Sequence, residues 1–160
     1  MQDCVGCGMC CYIPEIPELD KECYSECSKC SDDRLCLSYD QRPEACKSYK
    51  CYWAVNDLSD NLRPDKCGVM FEKVENFPIY AAFLLPHRPE AWEEPNVLGI
   101  IELLISQGNS VVIGNGPNKQ ILVLTPIGIE VSDVLNNIKL AQEQRRVNGG
   151  SVIHNRSIHV

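Results

Sequence analysis

Cysteine is distributed unevenly along this chain, and this distribution constrains the fold more than any other feature of the sequence. All 11 cysteines occur at or before Cys67, and none occurs from residue 68 to residue 160. The stretch CVGCGMCC alone places four of them within residues 4–11. A short segment this rich in cysteine buries little apolar surface, so cross-links or bound ions must supply much of its stability.

The cysteine pattern divides the chain into two parts, and we predict a Cys-rich module at residues 1–66. Prolines interrupt any long helix in this module. IPEIPELD, at residues 13–20, is predicted as extended chain or loop. The spacing in CYSECSKC predicts that its thiols share one face of a helical turn at 23–30, and ACKSYKC predicts a short helix at 45–51.

The second part, residues 67–147, has the patterns of ordinary strands and helices. Their order, ββαββα, predicts an α+β fold with an antiparallel sheet, and residues 148–160 are predicted as a tail. The predicted elements are strands at 68–74 and 79–86, a helix from Pro95 to Gly108 with Val97, Ile100, Ile101 and Leu104 on its buried face, a hairpin with strands at 111–113 and 121–124, and an amphipathic helix from Ile127 to about Arg145.

Charge and hydropathy exclude several classes of function. The net charge is −7, which argues against sequence-independent binding to nucleic acid or to an anionic membrane. No apolar run approaches the roughly 20 residues of a membrane span, and MQDCVGC has neither the charge nor the apolar stretch of a secretory signal. We therefore expect a cytoplasmic protein, whose thiols stay reduced.

Three kinds of chemistry use clustered thiols. A disulfide framework is disfavoured because the count is odd and because the neighbours Cys10 and Cys11 do not suit two ordinary bridges. A thioredoxin-like redox pair needs a C-x-x-C that follows a strand and opens a helix, but Cys4-x-x-Cys7 opens the chain. Metal binding is therefore the leading prediction.

C-x2-C segments support the metal prediction directly. They occur at Cys4/Cys7, Cys7/Cys10 and Cys27/Cys30, and this spacing lets two thiolates reach one ion while the intervening amides donate to sulfur. Gly6 and Gly8 permit the left-handed turns that such segments need. Zinc is the first choice. A four-iron cluster is the main alternative, because Cys4-x2-Cys7-x2-Cys10 matches the start of a ferredoxin run, and copper(I) is a third.

Two segments, CVGCGMCC and CLSYDQRPEACKSYKCYW, together resemble the bacterial YkgJ-type proteins, a family described as zinc- or iron-chelating. The resemblance covers roughly the first third of the chain and implies metal chelation without a settled activity. It implies small residues at the Cys67 position, which argues against Cys67 as a ligand. It implies the metal ligands Cys4, Cys7, Cys10, Cys11, Cys27, Cys30, Cys36, Cys46 and Cys51, with Cys23 as an additional candidate and with Tyr39, Arg42 and Trp53 around the ligands.

The predicted function is a metal-binding protein that chelates zinc through cysteine thiolates, in a structural or metal-handling role. Two alternatives stay open: an iron–sulfur protein acting in electron transfer or within a modification enzyme, and a protein–protein adaptor with structural zinc. The expected partners are metal ions and a protein. GNGPNK lacks the Gly-Lys-Ser/Thr ending of a phosphate loop and no Ser/His/Asp signature is present, so we favour a binding protein over an enzyme.

Overall fold

Four strands in the second half of the chain pair into one sheet in the computed structural model, which describes residues 5–114, 116 and 121–147. All four predicted strands are present, and they lie side by side in chain order. Their bounds are β1 Val69–Val74, β2 Ile79–Leu84, β3 Ser110–Gly114 and β4 Ile121–Leu124.

The sheet is mixed, so the prediction of an antiparallel sheet was wrong. β1 pairs antiparallel with β2, and β3 pairs antiparallel with β4, but β2 and β3 are parallel. The cause is helix α5, Pro95–Ser106, which returns the chain along the sheet so that β3 begins at the same end as β2. The coarser prediction, an α+β fold, agrees with the helices and the sheet.

Helix α5 packs on one face of the sheet. The four residues predicted to be buried are buried, because their spacing places them on one side of the helix. They contact strand residues that alternate along β1, β2 and β3, such as Phe71, Ala82 and Val111. Leu103 on the same helix is 45% exposed, so it lies outside the buried face.

The opposite face of the sheet is covered partly by helix α6, Val131–Val147. Val134 packs there with Ile79 and Val112. The helix begins four residues later than predicted, because Gly128 has a left-handed φ of 90° and the chain turns there. Ile127 is consequently fully exposed.

The Cys-rich module consists of short helical pieces and turns. Residues 23–30 form turns, so the helical turn predicted there was wrong: Tyr24 has a left-handed φ of 55°. The helix predicted within 45–51 is present. The α-helices of the module are α1 Met9–Tyr12, α2 Glu44–Ser48, α3 Tyr52–Val55 and α4 Pro64–Cys67.

The module packs against both faces of β1, an edge strand of the sheet. On the face that α6 shares, Met9 and Ile13 pack with Met70 and Leu85. On the other face the ring of Tyr52 lies 6.3 Å from that of Phe71. Helix α4 runs across the predicted module boundary at residues 66 and 67. The module is therefore joined to the sheet by apolar contacts as well as by the chain.

No helix within the described residues combines the length and the apolar composition that a membrane span requires.

Candidate metal centre

The first described C-x2-C segment, Cys7 to Cys10, has the backbone geometry of a metal-binding turn. Gly6 and Gly8 adopt the predicted left-handed conformation, with φ values of 78° and 65°. Burial raises the pKa of the Cys7 thiol, and a backbone hydrogen bond from Met9 to its sulfur opposes part of that rise. An amide two residues after a cysteine that bonds its sulfur is the arrangement expected around thiolate ligands.

The second segment, Cys27 to Cys30, repeats this arrangement. The Lys29 amide donates to Cys27 Sγ at 3.4 Å, again from two residues further along the chain. The Cys30 amide donates to the Cys27 carbonyl oxygen at 2.9 Å and closes the turn. Two separate parts of the chain therefore share one feature, an amide that bonds the sulfur of the cysteine two residues before it.

Gly8 lies directly beneath a side chain. A Cβ atom at Gly8 would be 2.7 Å from Cδ and 3.0 Å from Cβ of Arg34. The Arg34 side chain therefore packs directly against the backbone of the first segment at Gly8. The site requires glycine here for two reasons: the left-handed backbone and the close approach of Arg34.

We expect Gly8→Ala to destabilise the protein by about 1–3 kcal/mol, because alanine is strained at this φ and its methyl group displaces Arg34. Urea unfolding of the reduced protein measures the effect. Gly99→Ala is the matched control, since Gly99 lies in α5 with open space around it and without a positive φ. The control is expected to be neutral or stabilising by up to about 1 kcal/mol. Equal behaviour of the two variants would contradict the geometric argument.

Six thiols of the module, which we name the outer thiol group, interact with one another. Cys11 forms side-chain hydrogen bonds with Cys10 and Cys30. Cys46 is close enough to Cys11, Cys27 and Cys36 for their charges to affect its ionisation. The members of the outer thiol group are Cys10, Cys11, Cys27, Cys30, Cys36 and Cys46. Cys30 and Cys36 are also paired through their backbones in an isolated β-bridge.

Three members of the outer thiol group, Cys11, Cys30 and Cys46, have raised pKa values. Burial raises the pKa of Cys30 to about 11, and burial with the neighbouring thiols raises that of Cys46 to about 11. The hydrogen bond with Cys10, followed by burial, raises the pKa of Cys11. A cation is the natural partner for such a group, because it stabilises the thiolates that mutual repulsion disfavours, and its binding must displace protons.

Cys7 has a different neighbour. It is 8% exposed in the apolar cluster with Met9 and Ile13, and burial raises its pKa to about 12. Its side chain hydrogen-bonds to Asp65. The Asp65 carboxylate also accepts from Arg63 Nε at 2.7 Å and Nη2 at 2.8 Å. No pattern in the sequence predicts a role for Asp65, because its contact with Cys7 joins distant parts of the chain.

The remaining predicted ligands are spread around these groups. Cys51 packs with the apolar cluster that contains Cys7. Cys23 is half-buried; burial and then the charge of Glu15 raise its pKa. Cys4 lies outside the described residues. Cys67, which was not predicted to be a ligand, is 2% exposed in the core between the sheet and α5.

Tyr39, Arg42 and Trp53 were predicted to surround the ligands. Tyr39 is 60% exposed, and the Arg42 guanidinium carbon lies 3.7 Å from the centre of its ring. Arg42 Nε also donates to the Tyr39 carbonyl oxygen at 2.8 Å. Trp53 is buried and donates from Nε1 to the Ser59 carbonyl oxygen at 3.0 Å. These contacts brace the chain locally, and the role of the three residues around a metal stays a prediction.

The structure records no disulfide among the ten cysteines that it describes. Within residues 5–114, 116 and 121–147, no group of three or more Cys, His, Asp or Glu side chains is arranged to hold a metal ion. The donor set itself fits a soft or borderline metal, because it consists of thiols on turns whose amides face sulfur.

Comparison with protein-family models, with curated proteins and with solved structures finds no match to this chain. The resemblance carried by the two cysteine motifs therefore rests on those motifs alone.

Proposed function

We propose that this chain is a metal-binding protein that chelates zinc through the thiolates of its N-terminal module. The observation that carries the proposal is the repeated turn: at Cys7 and at Cys27, an amide two residues later bonds the sulfur. Such bonds stabilise thiolate ligands. They occur next to the outer thiol group, which is free of disulfides.

Zinc suits this donor set for a physical reason. It accepts four thiolates in a tetrahedron without a preference imposed by d electrons, so it tolerates ligands that come from separate turns. The candidate ligands are the outer thiol group, Cys7 and Cys51, with Cys4 added from the sequence. Binding would require the thiols to lose protons and to rotate towards one point. A structural ion and a transported ion use the same ligands, and both roles are within the proposal.

An iron–sulfur cluster is the second candidate. The spacing Cys4-x2-Cys7-x2-Cys10 favours it, because this spacing supplies three of the four thiolates of a four-iron cluster. The contact between Cys7 and Asp65 weighs more against this cluster than against zinc, because the spacing requires Cys7, whereas the outer thiol group alone has enough thiols for a zinc site.

An adaptor with structural zinc is the third candidate, and exposed apolar side chains favour it. Ile129 and Val131 at the start of α6 and Leu140 on that helix are each more than 40% exposed. A groove of about 540 Å³ beside β3 and β4, lined by Trp92, Leu122 and other residues, also faces solvent. A protein partner that covers these surfaces would leave the metal in a structural role.

Elemental analysis of the protein, purified without oxygen, tests the proposal. We expect zinc in whole-number stoichiometry, without iron or sulfide and without a broad absorbance at ~400 nm. Iron with sulfide and that absorbance would favour the second candidate instead. A reduced protein that holds no metal, and that takes up none on reconstitution, would contradict both.

A further inference from the structure

Lys21 is a charged residue that is buried in the module. It is 5% exposed, and its ammonium donates to three backbone carbonyl oxygens: Tyr12 at 2.9 Å, Pro14 at 2.5 Å and Glu22 at 2.9 Å. An ammonium has three N–H donors, so all of them are used. Burial of such a charge is costly and is tolerated only with this kind of compensation.

These three bonds fix the loop that the sequence had predicted only as extended chain or loop. Ile16 and Lys21 also pair through their backbones, with hydrogen bonds of 2.9 and 3.1 Å. Tyr12 follows Cys11 directly, and Glu22 precedes Cys23 directly. The ammonium therefore links the segment that carries Cys11 to the segment that carries Cys23.

The same ammonium is within electrostatic range of three thiols. Burial lowers the pKa of Lys21, and the charges of Cys27, Cys23 and Cys11, followed by that of Glu26, oppose this shift. The three carbonyl oxygens hold the ammonium in place, and two of the thiols, Cys27 and Cys11, belong to the outer thiol group.

We propose that Lys21 is a positioning residue for the metal centre, in a way that deepens the proposed function and rests on it. Its hydrogen bonds hold the segments that carry Cys11 and Cys23 in register. Its charge offsets the net negative charge that four thiolates and one divalent ion create, which is about −2. Groups that orient and tune ligands in this way typically change metal affinity by 10–100-fold when they are removed.

The first measurement is zinc affinity by competition with a chromophoric chelator. Lys21→Met keeps the length of the side chain but removes its charge and donors, and we expect affinity to fall by about 10–100-fold. Lys21→Arg keeps the positive charge and the N–H donors, so its zinc affinity is expected to be close to that of the wild type. The matched control is Lys73→Met, because Lys73 is exposed on β1, outside the Cys-rich module. The control should bind zinc as the wild type does.

The second measurement separates a tuning charge from a merely structural side chain. The wild type and each variant are loaded with Co²⁺, and the thiolate-to-cobalt charge-transfer band is recorded. Lys21→Gln, which retains N–H donors without charge, is expected to shift this band, as is Lys21→Met, whereas Lys73→Met is not. If Lys21 only stabilised the loop, the neutral variants would bind less cobalt, but the charge-transfer band would stay at the wild-type wavelength.

The outcomes are distinct. Wild-type affinity and an unmoved band in both neutral variants would overturn the role of Lys21 while leaving zinc binding intact. A wild-type chain that binds neither zinc nor cobalt would instead overturn the proposed function, and the role of Lys21 with it.

Discussion

Replacing Cys27 and Cys30 together by serine is expected to lower the zinc content by about one ion per chain. Both thiols belong to the turn in which the Lys29 amide donates to Cys27 Sγ. Cys30 also forms a hydrogen bond with Cys11, so its loss affects two parts of the outer thiol group. A serine hydroxyl does not ionise at neutral pH and is a poor substitute for a thiolate. The measurement is metal content after reconstitution under reducing conditions.

Cys67→Ser is the matched control for this experiment. Cys67 is as buried as any cysteine in the described chain, but it lies in the apolar core and contacts the Leu62 and Val69 carbonyl oxygens at 3.4 and 3.3 Å. Its replacement should leave zinc content unchanged and reduce the free energy of unfolding by about 1 kcal/mol. If the double variant retained all of its zinc, or if Cys67→Ser lost zinc, the assigned ligands would be wrong.

Local pattern was sufficient to predict the second half of the chain. Alternating apolar residues such as Val69 and Phe71 place one side of each strand against α5, and the strands form where this alternation occurs. In α5, the spacing of Val97, Ile101 and Leu104 selects the buried face. These elements are predictable because each is stabilised by one apolar surface, which the sequence displays directly.

The direction of strand pairing was not predictable from the same pattern. A helix between two strands is compatible with several arrangements, and the alternation of residues is identical in parallel and antiparallel strands. Only the placement of α5 on the sheet decides that β2 and β3 are parallel. The later start of α6, at Val131 rather than Ile127, has a local cause: Gly128 adopts a left-handed φ of 90° and forms a turn.

The candidate site was predictable in its chemistry but only partly in its geometry. The glycine turns around Cys7 follow from spacing and were predicted. The contact between Cys7 and Asp65 and the burial of Lys21 were not, because each depends on how distant or irregular segments fold back. Such contacts leave no periodic signal in the sequence. The full ligand set stays a prediction, with Cys4 outside the described residues.

The central claim is that bound ions hold the Cys-rich module together. Apolar residues such as Ile13 and Met70 attach the module to the sheet. Within the module, the turns are held by backbone hydrogen bonds, including those from the Tyr24 amide to the Ile13 carbonyl oxygen and from the Leu37 amide to the Lys29 carbonyl oxygen. The apparent binding free energy of structural zinc, about 10–16 kcal/mol, is large enough to account for the order of such a segment. The sheet has a core of its own and does not need this contribution.

Amide hydrogen exchange before and after removal of metal tests this claim most directly. The protein is kept fully reduced, stripped with a chelator, and compared with the loaded form. We expect the amides of Tyr24, Cys30 and Leu37 to exchange at least about 100-fold faster after stripping, while those of Met70 and Val112 in the sheet keep most of their protection. Unchanged protection throughout the module in the stripped, reduced protein would contradict the account.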